Sequence, residues 1–144
     1  MKKRNFRRRR GGFTLMEILL VLAILVVLGS LVTVGYVTIQ RNANIDSAKT
    51  QIRMFEEAIG MYRLDVGKYP SGDQGLQALR LQPPDAPANK WRGPYMTIEI
   101  PMDPWGNPYQ YQEITDSLNQ PSFEVMSNGP DGNNGTGDDI RIPK

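Results

Sequence analysis

Glu17, a lone carboxylate at the edge of a long apolar run, and Asp131, Asp138 and Asp139, three carboxylates on a glycine-rich tail, are the side chains best placed to do chemistry in this sequence. The chain contains neither histidine nor cysteine. Without histidine there is no imidazole base, no Ser-His-Asp or Cys-His arrangement and no imidazole metal site. Paired carboxylates of the glycosidase kind stay open, since Asp and Glu together number 15. No P-loop glycine run is present to cradle a nucleotide phosphate.

The tail from Asn128 to Asp139 reads NGPDGNNGTGDD. Its three carboxylates repel one another when bare. Hard cations relieve that repulsion with oxygen ligands, and the glycines let backbone carbonyls turn inward. An EF-hand is excluded: Asp131 and Asn133 fit its start, but Ile142 stands where the bidentate Glu is required. The residues alone leave two readings, a cation site and a solvated acidic loop. Asn134-Gly135-Thr136 also fits a glycosylation sequon, which carries little weight in a bacterial-type chain. Glu17 poses a different problem, because an unpaired carboxylate at membrane depth costs several kcal/mol or takes up a proton. Either it sits at the headgroup boundary or it is kept for a partner.

The elements that position these residues follow from charge and periodicity. Seven of the 17 basic residues fall within the first ten positions, so from Phe13 onward the chain carries ten basic side chains against 15 acidic. A basic run of this kind often binds nucleic acid, but here it abuts an apolar segment and obeys the positive-inside rule, which places it in the cytoplasm and implies no nucleic-acid partner. From Ile18 to Ile39 no residue is charged. Those positions span about 33 Å as a helix at about 1.5 Å per residue, enough for a bilayer core. The run is too long for a conventional secretory signal and lacks a clear A-x-A cleavage site. It is also too uniformly apolar to be buried by the rest of so short a chain.

Beyond it, Ile45, Ala48, Ile52, Phe55, Ile59, Tyr62 and Val66 recur at spacings of three and four, with charges between them and Gly67 and Pro70 closing the pattern. A continuous helix from Thr14 to Asp65 would be roughly 78 Å long. The text after Pro70 is rich in loops, with a short helix expected over Gly75 to Arg80 and strands over Thr97 to Ile100, Tyr109 to Ile114 and Ser122 to Ser127. The expected fold is α+β, a long N-terminal helix packed on a small antiparallel sheet. With no disulfide, a head this small needs support from the helix, a metal or neighbouring subunits.

Gly12-Phe13-Thr14-Leu15-Met16-Glu17, with its basic leader and apolar sequel, resembles the cleavage region of type IV pilins and pseudopilins. Further on, Tyr69-Pro70, Gln74-Gly75-Leu76-Gln77-Ala78-Leu79, Gly93-Pro94-Tyr95 and Asp103-Pro104-Trp105-Gly106-Asn107-Pro108-Tyr109 occur in an order similar to that of the major pseudopilins of type II secretion systems. The resemblance implies three segments: a leader over 1–12 that is cleaved, a transmembrane helix over 13–41, and a periplasmic head over 42–144. It implies cleavage by a prepilin peptidase between Gly12 and Phe13, methylation of the new Phe13 amine, and pairing of that amine with Glu17 of a neighbouring subunit. It also implies a calcium ion held by Asp131, Asp138 and Asp139, with backbone carbonyls such as those of Asn128 and Asn133.

The function implied is that of a structural subunit without catalysis. It would assemble in the inner membrane into a helical fibre that drives export of folded periplasmic proteins across the outer membrane. The partners implied are further copies of the chain, minor pseudopilins, the prepilin peptidase, an inner-membrane assembly platform, membrane lipid and, indirectly, a cytoplasmic ATPase. Type IV or DNA-uptake pilins share the N-terminus, but the absence of a C-terminal cysteine pair and the acidic loop favour the pseudopilins. A membrane-tethered carboxylate hydrolase is the alternative from a different class. One departure stands out: Val34 lies near the position where that family often carries a helix proline, leaving Gly35 as the nearest weak point.

Overall fold

The computed structural model describes residues 12–142, apart from the side chains of residues 31–35. The leader before Gly12 and the side-chain environment of Val34 therefore lie outside the described residues. The chain divides between Gln40 and Arg41 into two compact units.

One helix, α1 (Leu15–Val66), runs from the first unit into the second. Its start is set by Thr14, whose hydroxyl accepts the Glu17 backbone N–H at 3.2 Å, an N-cap bond that satisfies one of the helix's free donors. Its end is set by Gly67, which takes φ of 90° and donates its N–H to Arg63 O at 2.8 Å, the left-handed cap that only glycine adopts without strain. In the first unit the described apolar side chains from Leu15 to Leu28 that are large are exposed. No helix among the described residues is long and apolar enough to cross a membrane.

In the second unit the expected stripe is the core. Ala48, Ile52, Phe55, Ile59, Tyr62 and Val66 are buried, and Ile45 packs partly against them. Each fully buried large apolar side chain here contributes about 1.5–3 kcal/mol of transfer free energy. Facing the stripe are Leu76 and Leu79 from a short 3-10 helix (Gly75–Leu79), Phe123 and Val125 from the sheet, and Ile140. Aromatic edges fill the seam: Phe55 meets Tyr109 at 5.1 Å between centroids, and Tyr69 meets Phe123 at 5.0 Å.

The sheet has three antiparallel strands in chain order, β1 (Gln110–Thr115), β2 (Pro121–Ser127) and β3 (Ile140–Arg141). Glu113 pairs with Phe123, and Met126 with Arg141. The β1–β2 turn is held by the Asp116 carboxylate, which accepts the N–H groups of Leu118 and Gln120 at 2.9 and 2.8 Å.

One expectation changes. Thr97 to Ile100 is not a strand but an irregular segment, since Ile98 and Glu99 are exposed, no strand lies beside them, and Pro101 cannot donate to a ladder. The only pairing nearby among the described residues is the isolated bridge between Met102 and Pro108. Beyond Asp139, where the sequence carried no expectation of a strand, Ile140–Arg141 pairs with β2 as β3 and closes the segment that carries the three aspartates.

Candidate functional site

At the N-terminal junction, Gly12, Phe13 and Thr14 precede α1 in non-helical backbone, and Phe13 is 78 % exposed. A Cβ built on Gly12 would meet nothing within 4 Å. Among the described residues nothing demands glycine there, and the junction is exposed. Glu17 is exposed and occupies the third position of the helix, where a carboxylate interacts favourably with the positive end of the helix dipole. Thr14 and Glu17 thus form half of a capping box, T-x-x-E before an apolar run, a helix-start signal in the sequence that the reading above did not use.

The C-terminal loop is built on a turn. In the run from Asp103 to Asn107, the buried Asp103 carboxylate accepts the N–H of Trp105 at 3.0 Å and of Asn107 at 2.8 Å through one oxygen. Its other oxygen accepts the Ser127 hydroxyl at 2.6 Å. Ser127 Oγ in turn accepts the Gly129 N–H at 3.1 Å, and the Asn107 side-chain amide donates to Gly129 O at 3.1 Å. A buried carboxylate with three donors is well compensated, and it fixes where the acidic loop leaves β2. Sequence reasoning gave the Asp103 side chain no role of its own. The available signal was Asp at the head of a Pro/Gly turn, a residue that bonds to the backbone of its own turn.

Gly129 takes φ of 66°, and a Cβ there would stand 2.3 Å from Asp138 O. The two ends of the loop approach each other this closely only because residue 129 is glycine.

Within the loop, Asp131 and Asp138 come together. Asp138 Oδ2 accepts the Asp131 N–H at 3.2 Å, and the Thr136 hydroxyl lies 2.5 Å from Asp138 Oδ1 and 3.4 Å from Asp131 Oδ1. The Thr136 contact, ahead of the other causes, holds the Asp138 carboxyl below the ordinary carboxylate range. Asp139 is turned aside: its Oδ2 accepts from Gly135 N at 2.9 Å and from Arg141 at 2.9 Å, and the Arg141 guanidinium is the main cause that lowers its pKa. Asn133 donates its N–H to Asp131 Oδ1 at 2.8 Å.

Among the described residues no three acidic side chains are already grouped as a metal site. The donor set nevertheless suits a hard cation. It consists of oxygens, and two buried ones, Asn128 Oδ1 and Asp139 Oδ1, have no hydrogen-bond partner.

Comparison with known proteins bears on both regions. Residues 36–143 match the family described as type II secretion system (T2SS), protein G, and residues 7–33 match the prokaryotic N-terminal methylation motif. The chain is similar to the type II secretion system core protein G of Vibrio cholerae serotype O1, with 40% identity over 134 residues that cover 92% of this chain and 91% of that protein. It is similarly related to the core protein G of Pseudomonas aeruginosa, 40% identical over 133 residues and 92% of each chain. Among solved structures, the major pseudopilin from the type 2 secretion system of enterohaemorrhagic Escherichia coli resembles it with a TM-score of 0.60 and 31% identity, covering 73% of this chain and 90% of that one.

Proposed function

This chain belongs to the type II secretion system protein G family, and from that premise we propose that it is the major pseudopilin of its system, a membrane-anchored subunit that builds the pseudopilus. The observation that carries the reading is the joint match of both regions, a methylation-motif N-terminus on a protein G head. Identical subunits joined by head-to-tail contacts that do not close make a helical fibre, and its growth drives folded proteins outward.

In this reading the leader stays cytoplasmic, the helix passes once through the inner membrane and the head stands in the periplasm. A prepilin peptidase cuts between Gly12 and Phe13, and the Phe13 amine is methylated. The exposed, non-helical junction supports access for that enzyme. Glu17 then pairs with the Phe13 amine of the adjacent subunit, since opposite charges attract strongly where both are desolvated together. Minor pseudopilins, an assembly platform and a cytoplasmic ATPase complete the machine.

Calcium, in this proposal, is held by Asp131, Asp138 and Asp139, with oxygens of Asn128 and Asn133. The two orphaned buried oxygens support it. When bound, the ion supplies positive charge that joins the two ends of the loop. The chain's own residues do the positioning, since Asp103, Ser127 and Asn107 hold the loop's start and β3 holds its end.

The test is deletion and replacement in the native organism. Loss of this gene should leave secreted proteins trapped in the periplasm, and intact mass of the restored subunit should correspond to a chain starting at methylated Phe13. Normal secretion without the gene would overturn the reading.

A further inference from the structure

A cleft of about 330 Å³ lies within the head, lined by Arg41, Lys49, Trp105, Asp138, Asp139 and Arg141 among others. Its charges are not equally engaged. Arg141 is spent on Asp139 at 2.9 Å and Glu124 at 3.7 Å, and the Asp138 oxygens are turned to Thr136 and the Asp131 N–H. Arg41 and Lys49, both exposed, form no ion pair within 4 Å among the described residues, although Arg41 is near enough to act on the Asp138 carboxylate. The Trp105 ring is half-buried against the core, and no acceptor among the described residues takes its indole N–H.

Position along the chain narrows what these two cations and an indole donor could meet. Arg41 is the second residue after Ile39, where the apolar run of α1 stops, so in a membrane-anchored subunit it enters the headgroup layer. Lys49 follows about 12 Å further along the helix, and a lysine stem reaches back toward the interface by several ångströms. Tryptophan beside arginine and lysine is the combination that proteins place at that depth, with the ring against lipid carbonyls and the cations against phosphates.

We propose that this cleft takes the phosphodiester of an anionic phospholipid, with Arg41 and Lys49 as its charge partners and the Trp105 indole N–H as a hydrogen-bond donor. The proposal rests on the membrane anchoring of the subunit and on no property of the fibre. It gives the unassembled subunit a fixed height in the bilayer, set by the lipid phosphate.

The chain from Phe13 onward, in neutral detergent and free of the seven leader cations, is titrated with phosphatidylglycerol or phosphatidylcholine and bound lipid is read by native mass spectrometry. Phosphatidylglycerol should be retained about thirtyfold better, the scale expected of two cations near a lipid phosphate. Arg41→Gln with Lys49→Gln should remove most of that preference, and Arg41→Lys with Lys49→Arg should keep it. Lys90→Gln with Arg92→Gln, which removes the same charge elsewhere on the head, should leave it intact.

Equal retention of the two lipids would overturn the proposal, as would an equal loss in both neutralised variants. Displacement of phosphatidylglycerol by millimolar inorganic phosphate would overturn the lipid as the source of the anion. Membrane flotation of each variant, which depends on the apolar run alone, separates failure of this site from failure of the anchor.

Discussion

Between Leu15 and Leu28 the large apolar side chains of α1 are exposed, Leu19 and Leu25 at 57 % each, whereas between Ala48 and Val66 one face of the same helix is buried to 5 % or less. The backbone is α-helical in both stretches. The difference lies in who supplies the apolar surroundings. The second half is patterned so that the sheet and the 3-10 helix can cover one face, and charges such as Arg53, Glu57 and Arg63 occupy the other. The first half offers no polar face and so must find its surroundings outside the chain, in lipid or in the helices of other subunits. A helix can therefore be specified for two solvents by side-chain pattern alone.

That contrast breaks most visibly when equal truncations are made on its two sides. Phe55→Ala removes a fully buried ring that meets Tyr109 and should destabilise the head by about 3–5 kcal/mol. Leu22→Ala, at an exposed site, should change the unfolding of the head by less than about 0.5 kcal/mol. Denaturant melts that follow head fluorescence measure both, and comparable losses would mean that the two halves share one core.

Asp103→Ala sharpens the contrast on the head's side. It strips the acceptor from two backbone amides and the Ser127 hydroxyl at once, at an expected cost of about 2–4 kcal/mol. Limited proteolysis should then cut first between Asn128 and Asp139. Protection of that segment in the variant would separate the turn from the loop.

Alkaline pH probes the same core without mutation. Burial, with Asp103 adding to it, pushes the Tyr109 hydroxyl up to about 12, and burial raises Tyr111 further. A raised folded-state pKa means that stability is complete below the unfolded value near 10 and is lost as pH rises toward 12, by up to about 2 kcal/mol for Tyr109. Tyr109→Phe should flatten that loss in melts taken between those pH values.

Calcium should act more gently. A site of about 0.1–1 mM affinity in about 1 mM calcium stabilises the head by about 0.4–1.4 kcal/mol, and Asp138→Ala should abolish most of the shift. An unchanged melting temperature with calcium and with chelator, and no heat of binding, would reduce the segment to a solvated acidic loop.

The smallest effect on the head is expected from Glu17→Ala, which should leave its stability unchanged while fibres fail to assemble. Fibres of normal number and length would refute the pairing with the Phe13 amine.

The core stripe was legible in the sequence because seven residues repeat one period, and no other arrangement buries them together. Strands β1 and β2 were legible to within a residue for a similar reason, each long enough to show alternation. Strand β3 has two residues, too few to carry any period, and the Thr97–Ile100 segment has the composition of a strand without a neighbour to pair with. Of the three aspartates read together from the sequence, Asp131 and Asp138 meet in the structure, whereas Asp139 turns to Gly135 and Arg141. The contact that places the loop was not legible, because Asp103 and Ser127 are 24 residues apart and nothing local predicts that they meet. The Thr14 cap was legible in principle, since its signal is local.

That separation has a consequence in time. The contacts that fix the start of the acidic loop join residue 103 to 127 and residue 107 to 129, so they wait for β1 and β2 to pair and cannot preform in a newly made chain. The loop is thus among the last parts of the head to take shape. A newly made chain therefore has no fixed place for Asp131 and Asp138, which meet through the Asp131 N–H only in the closed head, so that contact reports completion of the fold.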